Sequence, residues 1–313
     1  MTTNSVSRRP WLLASLGVIV FAFVCVSPWD HIYQISLDVR GFGAQQLGLE
    51  TNGDAIKDCG TMLFSRGNAN SVASYPICTT VFQRRDKAKP CNVLSFGIFD
   101  DPSFDVLFGR KGCRVDSYDP TIGKPTGSSP WAPFGSMFYN NSIGPANGIN
   151  ANFGWKEVSI AEAVQRIAGN PPTEPIHILK MDIEGSEWAA LSSALSAGVF
   201  DPPYDIQQII MEVHIGATGG DMSDPGVLGT SAARTWNPRT DQMISKHSDV
   251  SAHIAILRQL FDKGYRVIFR RPVGSVWNRE RYIALPESDF KVRGQYDIAL
   301  VKTRTGMFKR LSR

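Results

Sequence analysis

The chain has 313 residues, 42% of them hydrophobic and 20% charged, which is the composition of a globular protein long enough for one large α/β domain with additions. A formal net charge of +4 excludes a strongly polycationic or polyanionic protein. The basic residues gather only at Arg84, Arg85, Lys87 and Lys89 and in the tail at Lys309, Arg310 and Arg313; these read as solvated faces, and no nucleic-acid partner is expected.

Residues 1–9 end in Arg8 and Arg9 and are followed by "PWLLASLGVIVFAFVCVSPW", uncharged from Pro10 to Trp29. At about 1.5 Å per residue this stretch spans a hydrocarbon core of roughly 30 Å. The two arginines suit the cytoplasmic side, and Trp11 and Trp29 suit the two interfaces. A cleaved signal peptide needs a shorter apolar core and small residues before the cut, which Val24, Val26 and Pro28 do not provide. The expectation is a cytoplasmic tail (1–9), a transmembrane signal anchor (10–29) and a lumenal remainder. That describes a single-pass type II membrane protein of the Golgi or endoplasmic reticulum.

Residues 30–89 carry Gly, Asn and Ser with little periodicity and read as a stem and N-terminal cap. Apart from Cys25 in the expected span, the cysteines are Cys59, Cys78, Cys91 and Cys113. In an oxidising compartment such a set forms two bridges, with three connectivities open; four separate buried thiols are the alternative. No CxxC or His-rich spacing suggests structural zinc. Asn140-Asn141-Ser142 is an N-glycosylation sequon, a pattern frequent by chance.

From residue 90 to about 305 strands and helices alternate. Asn92–Phe99 is a predicted strand running into a turn at Gly97. A helix follows with Phe104, Leu107 and Phe108 on one face, stopped by Gly112. "CRVDSYDP" is a second strand ending at Asp119 before Pro120, and residues 121–153, rich in Gly, Pro, Ser and Asn, read as a loop. "SIAEAVQRIAG" is a helix capped by Ser159, with Glu162 in the capping-box position. His177–Ile183 is a strand, "SEWAALSSALSAG" a helix and "IQQIIMEVH" a strand. A long loop from Gly216 to Ser251, placed to cover an acceptor pocket, leads to the helix "AHIAILRQLFDKG" and the closing strands Tyr265–Arg271 and Gln295–Thr303.

This alternation implies a parallel sheet covered on both faces, with ligands outside the carboxyl ends of its strands. Those ends carry Gly97, Asp119, Asp182 with Glu184, and Glu212 with His214. Singly, each has an ordinary reading: a tight turn, a turn acid, a partner for lysine, a satisfied core histidine. Together they suit a nucleotide-like cofactor, because a glycine turn admits close backbone approach and an acid ending the second strand can take both ribose hydroxyls. Ile98, Phe99 and Asp100 follow Gly97, so the G-x-G-x-x-G dinucleotide fingerprint is absent, which favours S-adenosylmethionine over a nicotinamide cofactor.

"VLSFGIFDDPSFD", "GCRVDSYDP", "HILKMDIEGSEW" and "QIIMEVH", in this order, resemble the FkbM-like methyltransferases and their membrane-anchored relatives, the methyltransferase-like proteins, over roughly Cys91 to Thr303. The resemblance implies a class I methyltransferase fold: a Rossmann-like, mostly parallel, seven-stranded sheet with the last strand antiparallel. It implies S-adenosyl-L-methionine lying over Ser95, Phe96 and Gly97, with Asp119 on its ribose and Asp182 beside it. Ser95 and Ile98 stand where class I enzymes carry an acid and a second glycine.

The implied reaction is in-line displacement of a methyl group from a sulfonium, in which the enzyme supplies alignment. A hydroxyl acceptor must lose a proton, a task for His214 or Asp182. Asp182, Glu212 and His214 also form an oxygen/nitrogen set that suits a divalent metal, and metal dependence stays open. The expected acceptor is a glycan, a secreted protein or a small molecule. Two other readings stand beside this one. Asp182-Ile183-Glu184 is similar to the D-x-D metal motif of single-span Golgi glycosyltransferases, and a degenerate methyltransferase domain can serve as a binding module. Asp182 is expected to face the transferred methyl, with Glu184 a supporting turn residue.

Overall fold

Cys91–Phe96 and Ile176–Met181 are buried at all six positions of each, which is how strands covered on both faces behave. The computed structural model describes residues 49–64, 74–83, 90–99, 101–132, 135–150, 153–215, 247–272, 282–284, 291–293 and 295–303. The expected tail and membrane span (1–29), the start of the expected stem and most of the expected covering loop (216–246) lie outside these residues. Among the described residues no helix is long and apolar enough to cross a membrane.

In chain order the elements begin with helix α1 (Gly53–Cys59), strands β1 (Met62–Phe64) and β2 (Pro76–Cys78) and the short helix α2 (Thr80–Gln83). Then come β3 (Cys91–Phe96), α3 (Ser103–Arg110), β4 (Cys113–Tyr118), β5 (Gly127–Ser128), β6 (Met137–Tyr139), β7 (Ser142–Gly144), β8 (Gly148–Ile149) and β9 (Lys156–Ser159). Helix α4 (Ile160–Ala168), β10 (Ile176–Met181), α5 (Glu187–Ser196), β11 (Ile206–His214), α6 (His247–Asp262), β12 (Tyr265–Pro272), β13 (Tyr282–Ala284), β14 (Lys291–Arg293) and β15 (Gln295–Lys302) are the remaining elements of the described residues.

The main sheet runs β12-β15-β11-β10-β3-β4-β6-β5. Neighbours from β11 to β6 are parallel, while β15 is antiparallel to both β11 and β12. The expected closing antiparallel strand is therefore present, inserted one place in from the edge. The strand count differs from the seven expected: there are eight, the extra one being the two-residue β5, antiparallel to β6. Both β5 and β6 fall inside the stretch read as a loop, as does the start of a separate three-stranded sheet, β7-β9-β8. Strands of two or three residues are too short to display an alternating pattern, and Gly, Ser and Asn hide them further.

Side chains alternate across the sheet into two cores. Leu179, Met181, Ile209, Met211 and Leu300 pack under residues of α4, α5 and α6. Ile178, Ile210, Val93, Val115 and Ala299 face the other way, against Phe104 and Phe108 of α3 and against Ala55, Tyr75, Ile77 and Val81. Ala55, Cys59, Tyr75, Ile77, Cys78 and Val81, within the expected stem and cap, thus form a layer of the same core. Gln208, fully buried on β11, fastens this layer: its Oε1 accepts from the Cys78 N–H and its Nε2 donates to the Pro76 carbonyl, both at 2.9 Å. The Asn52 N–H donates to the Val267 carbonyl at 2.7 Å at the far side of the sheet.

The cysteines select one of the three connectivities, Cys59–Cys78 and Cys91–Cys113. The second bridge joins register partners on β3 and β4 at the amino ends of both strands. Closing a loop of this size restricts the unfolded chain by about 3 kcal/mol. Replacing Cys91 and Cys113 together by alanine is expected to lower unfolding free energy by that amount in urea titration of the oxidised protein. An unchanged midpoint would show that the bridge contributes nothing to this strand pair.

Candidate functional site

The strand order reverses between β3 and β10, so the crevice at their carboxyl ends is the switch point of the sheet. There β3 stops because Gly97 takes φ +74, a conformation that L side chains resist. A Cβ at Gly97 would lie 1.7 Å from the Asp182 carbonyl oxygen, so the room left by the missing side chain is taken by the backbone of β10's extension. The Gly97 N–H donates to the Tyr118 carbonyl and the Asp182 N–H to the Phe96 carbonyl, each at 3.0 Å. These contacts hold the tips of β4, β3 and β10 together.

Asp119 braces the same turn. Its Oδ2 accepts from the N–H groups of Ile98 and Phe99 at 2.7 Å each, and its Oδ1 from the N–H and hydroxyl of Thr121 at 2.7 and 2.6 Å. Four hydrogen bonds fill the acceptor directions of one carboxylate, so a ribose hydroxyl must displace one of them or bind elsewhere. Phe99, held by Asp119 at φ 50, is 57% exposed.

The other residues expected at the cofactor divide between the two cores. Ser95 is buried, and its hydroxyl donates to Asp105 Oδ2 at 3.1 Å, while Ser117 donates to Oδ1. Phe96 is buried against Tyr118, edge to face at 5.3 Å. At the end of the strand Lys180 Nζ donates to the carbonyls of Phe96, at 3.4 Å, and Gly97. Asp105 is not among the residues that the sequence points to. Burial pushes its carboxyl above the usual value, with Ser117 opposing the rise. An acid on the same helix face as Phe104 and Phe108 was the available signal.

On the other side of Gly97 the structure brings the remaining candidates together. Asp182 follows Met181, the register partner of Met211, and so comes level with Glu212; Glu212 pairs with Asp297, and Asp297 with Arg271. Three carboxylates thus cross β10, β11 and β15 in a row, closed by Arg271, whose Nε donates to Asp297 Oδ2 at 3.0 Å. Tyr75, from the N-terminal layer, donates its hydroxyl to Asp182 Oδ2 at 2.8 Å. No local pattern in the sequence announces Tyr75.

Crowding and burial set the charges. Burial raises the Asp182 carboxyl, Lys180 draws it back and Glu184 adds to the rise. Burial and the neighbouring Asp182 push Glu212 to about 8. Burial likewise raises Asp297, opposed by Arg271. Burial and Asp182 hold the Tyr75 hydroxyl well above 10, so it remains a donor. Burial acts to lower His214, yet Glu187 and Glu184 hold it well above 6.5. Its ring nitrogens lie 3.4 Å from Glu184 and Glu187 and 3.6 Å from Glu212. So placed, His214 is shifted toward its imidazolium form.

The "DIEGSEW" segment explains this geometry. Glu184 and Gly185, at φ 54 and 91, turn the chain back, and buried Glu187 clamps the turn by accepting from the N–H groups of Ile183 at 3.1 Å and Gly185 at 2.9 Å. Trp188 Nε1 donates to the His214 carbonyl at 2.7 Å and its ring stacks on His253 at 4.3 Å. Asp182 and Glu184 therefore serve different neighbours, Tyr75 and His214. Among the described residues no three His, Cys, Asp or Glu side chains are placed to hold one metal ion, and Asp182, Glu212 and His214 do not form such a set.

Gly97→Ala is expected to cost more than about 2 kcal/mol in urea unfolding, because the new methyl must push the tips of β3 and β10 away from each other. A melt like the wild type's would show that the tips do not touch. A second expectation follows from Glu212. Between its ordinary value of 4.5 and about 8 the folded protein keeps a proton that the unfolded chain has released, so this residue's contribution to stability is lost as pH rises through that window. Melting temperature should fall across the window in the wild type and fall less in Glu212→Gln. Parallel curves would mean that Glu212 ionises normally.

No protein-family model matches the chain. Among curated proteins it is similar to "Probable methyltransferase-like protein 24" of Homo sapiens, 24% identical over 159 residues, which are 47% of this chain and 38% of that protein. It is also 24% identical over 161 residues to the protein of the same name in Rattus norvegicus, covering 48% of this chain and 39% of the relative. The matched stretch spans about two fifths of the length of these relatives. Together with the α/β sheet, this is a distant methyltransferase-like relationship.

Proposed function

We propose that the chain is an S-adenosylmethionine-dependent methyltransferase of the FkbM-like kind, transferring a methyl group to an oxygen of a glycan, protein or small metabolite in the secretory pathway. The observation that carries this reading is the meeting, at the switch point of the sheet, of the Gly97 turn with the half-buried pair Asp182 and Glu212. A sulfonium cofactor is compatible with the charge of the site, since Asp182 beside the Gly97 turn offsets Lys180. When bound, S-adenosylmethionine supplies an electrophilic methyl group.

The chain's residues then do the following. The turn at Gly97 to Phe99, tied to Asp119, would hold the cofactor. Tyr75 donates to Asp182 Oδ2, leaving Oδ1 to take the acceptor proton. Glu212, raised to about 8, is protonated at neutral pH and relieves Asp182 of a second adjacent negative charge. His214, held as a cation among carboxylates, balances their charge and leaves the proton to Asp182. Both disulfides support assembly in an oxidising compartment, in keeping with a lumenal domain behind a membrane anchor at residues 10–29.

One observation favours a second reading, a methyltransferase-like binding module without turnover: all four acceptor directions of Asp119 are engaged by the chain itself. Isothermal titration of the full chain in detergent with S-adenosylmethionine, and with UDP-sugars plus manganese, separates the cases. Binding of S-adenosylmethionine is expected. Asp182→Asn should keep that affinity and the melting temperature while slowing labelled-methyl transfer to lumenal extract by about 10²-fold or more. Cofactor binding without any transfer favours the binding module, and heat only from UDP-sugars favours a glycosyltransferase.

A further inference from the structure

The chain contains one Asn-x-Ser/Thr sequence with x other than proline, Asn140-Asn141-Ser142. It forms the junction between β6 and β7, where Asn140 is exposed and Asn141 is buried. Thr126 Oγ1 accepts the Asn140 N–H at 3.0 Å, and the Ser142 hydroxyl donates to the Lys156 carbonyl at 3.3 Å, both in exposed settings. The preceding carbonyl, of Tyr139, accepts the Asp119 N–H at 3.1 Å, so Asn140 sits on the carboxyl edge of the sheet, next to the residue that pairs with the acid bracing the glycine turn.

A sequon is recognised before folding is complete, and its use then demands a native place open to solvent, because an attached oligosaccharide is bulky and hydrophilic. Asn140 meets that demand, whereas Asn92 and Asn141 are buried in the fold. An independent observation points to the compartment where the sugar donor is found. Cys59, Cys78, Cys91 and Cys113 form two bridges, all four sulfurs belonging to buried residues, as in chains that fold under oxidising conditions.

We infer that Asn140 carries an N-linked glycan, which rises from the rim of the candidate site rather than from the back of the domain. In the modification, Asn140 Nδ2 bonds to the anomeric carbon of a lipid-pyrophosphate-linked oligosaccharide. The bond from that carbon to the pyrophosphate oxygen breaks, the lipid pyrophosphate leaves with its electron pair, and one amide proton passes to the transferase. The inference rests on the lumenal placement proposed above, not on the methyl transfer.

The test expresses the full chain in cells with a secretory pathway and treats it with peptide-N-glycosidase F. The expected result is a single mobility step removed by the enzyme, with Asn140 converted to Asp in peptide mass spectrometry. Asn140→Gln and Ser142→Ala should each abolish the step, and Ser142→Thr, which keeps the hydroxyl, should preserve it. A wild-type chain with both disulfides intact and no step overturns the glycan alone. A chain with free thiols and no step overturns it together with the lumenal placement. A step that survives Asn140→Gln overturns the assignment to this residue.

Discussion

The site depends on the contact between Gly97 and the carbonyl of Asp182, because it fixes how closely the first and fourth strands of the parallel sheet approach at their tips. With no side chain and a positive φ at Gly97, the two backbones meet, and the turn that follows is aimed back at Asp119. Asp119 then holds the N–H groups of Ile98 and Phe99, and Lys180 takes the carbonyls on the opposite side of the glycine. A turn secured by an acid on one flank and an amine on the other has few other conformations open to it. That rigidity is what a crevice at a switch point needs to present its edge in one shape.

On this edge the acids are crowded because the register puts them there. Asp182, Glu212 and Asp297 occupy level positions on three adjacent strands, where like charges repel, and partial burial removes the water that would screen them. The response is visible in the neighbours: Arg271 on Asp297, Tyr75 on Asp182, and His214, its pKa raised, between Glu184, Glu187 and Glu212. Glu212 shares that histidine with two other acids, and burial beside Asp182 keeps its proton on to about 8. A carboxyl that changes charge near neutral pH beside a second carboxyl is a physical basis for proton handling, and the geometry ties that property to the site rather than to the surface.

The N-terminal layer has two roles. It covers the apolar face of the sheet that α3 leaves bare, secured by Gln208 and the Cys59–Cys78 bridge, and it delivers Tyr75 to Asp182. Cover and site are therefore one structure: loosening the layer withdraws a donor from the acid at the centre of the crevice. Asp105 does the equivalent work beneath the glycine turn, where it receives the hydroxyls of Ser95 and Ser117 from β3 and β4.

Much of the framework was legible in the sequence, because strands buried on both faces are mostly apolar along their length, and Cys91–Phe96 and Ile176–Met181 are. The end of each such run marks where the chain leaves the core, which is why Gly97, Asp119, Asp182 and Glu212 could be assigned to one edge. The glycine and acid positions carry no information about their partners, however. That Asp119 would meet the N–H groups of Ile98 and Phe99, that Asp182 would meet Tyr75 from 107 residues away, and that His214 would lie among acids are long-range results of packing. Strands β5 and β6 were hidden for a different reason: at two and three residues they owe their form to the edge they pair with, not to any propensity of their own. The sequence by itself determined the alternation, the covered sheet and the polar edge, since these follow from local patterns of burial. Only the tertiary structure decided the cysteine pairing, the raised pKa values of the acids and the donor on Asp182, since each depends on which distant groups share a space from which water is excluded.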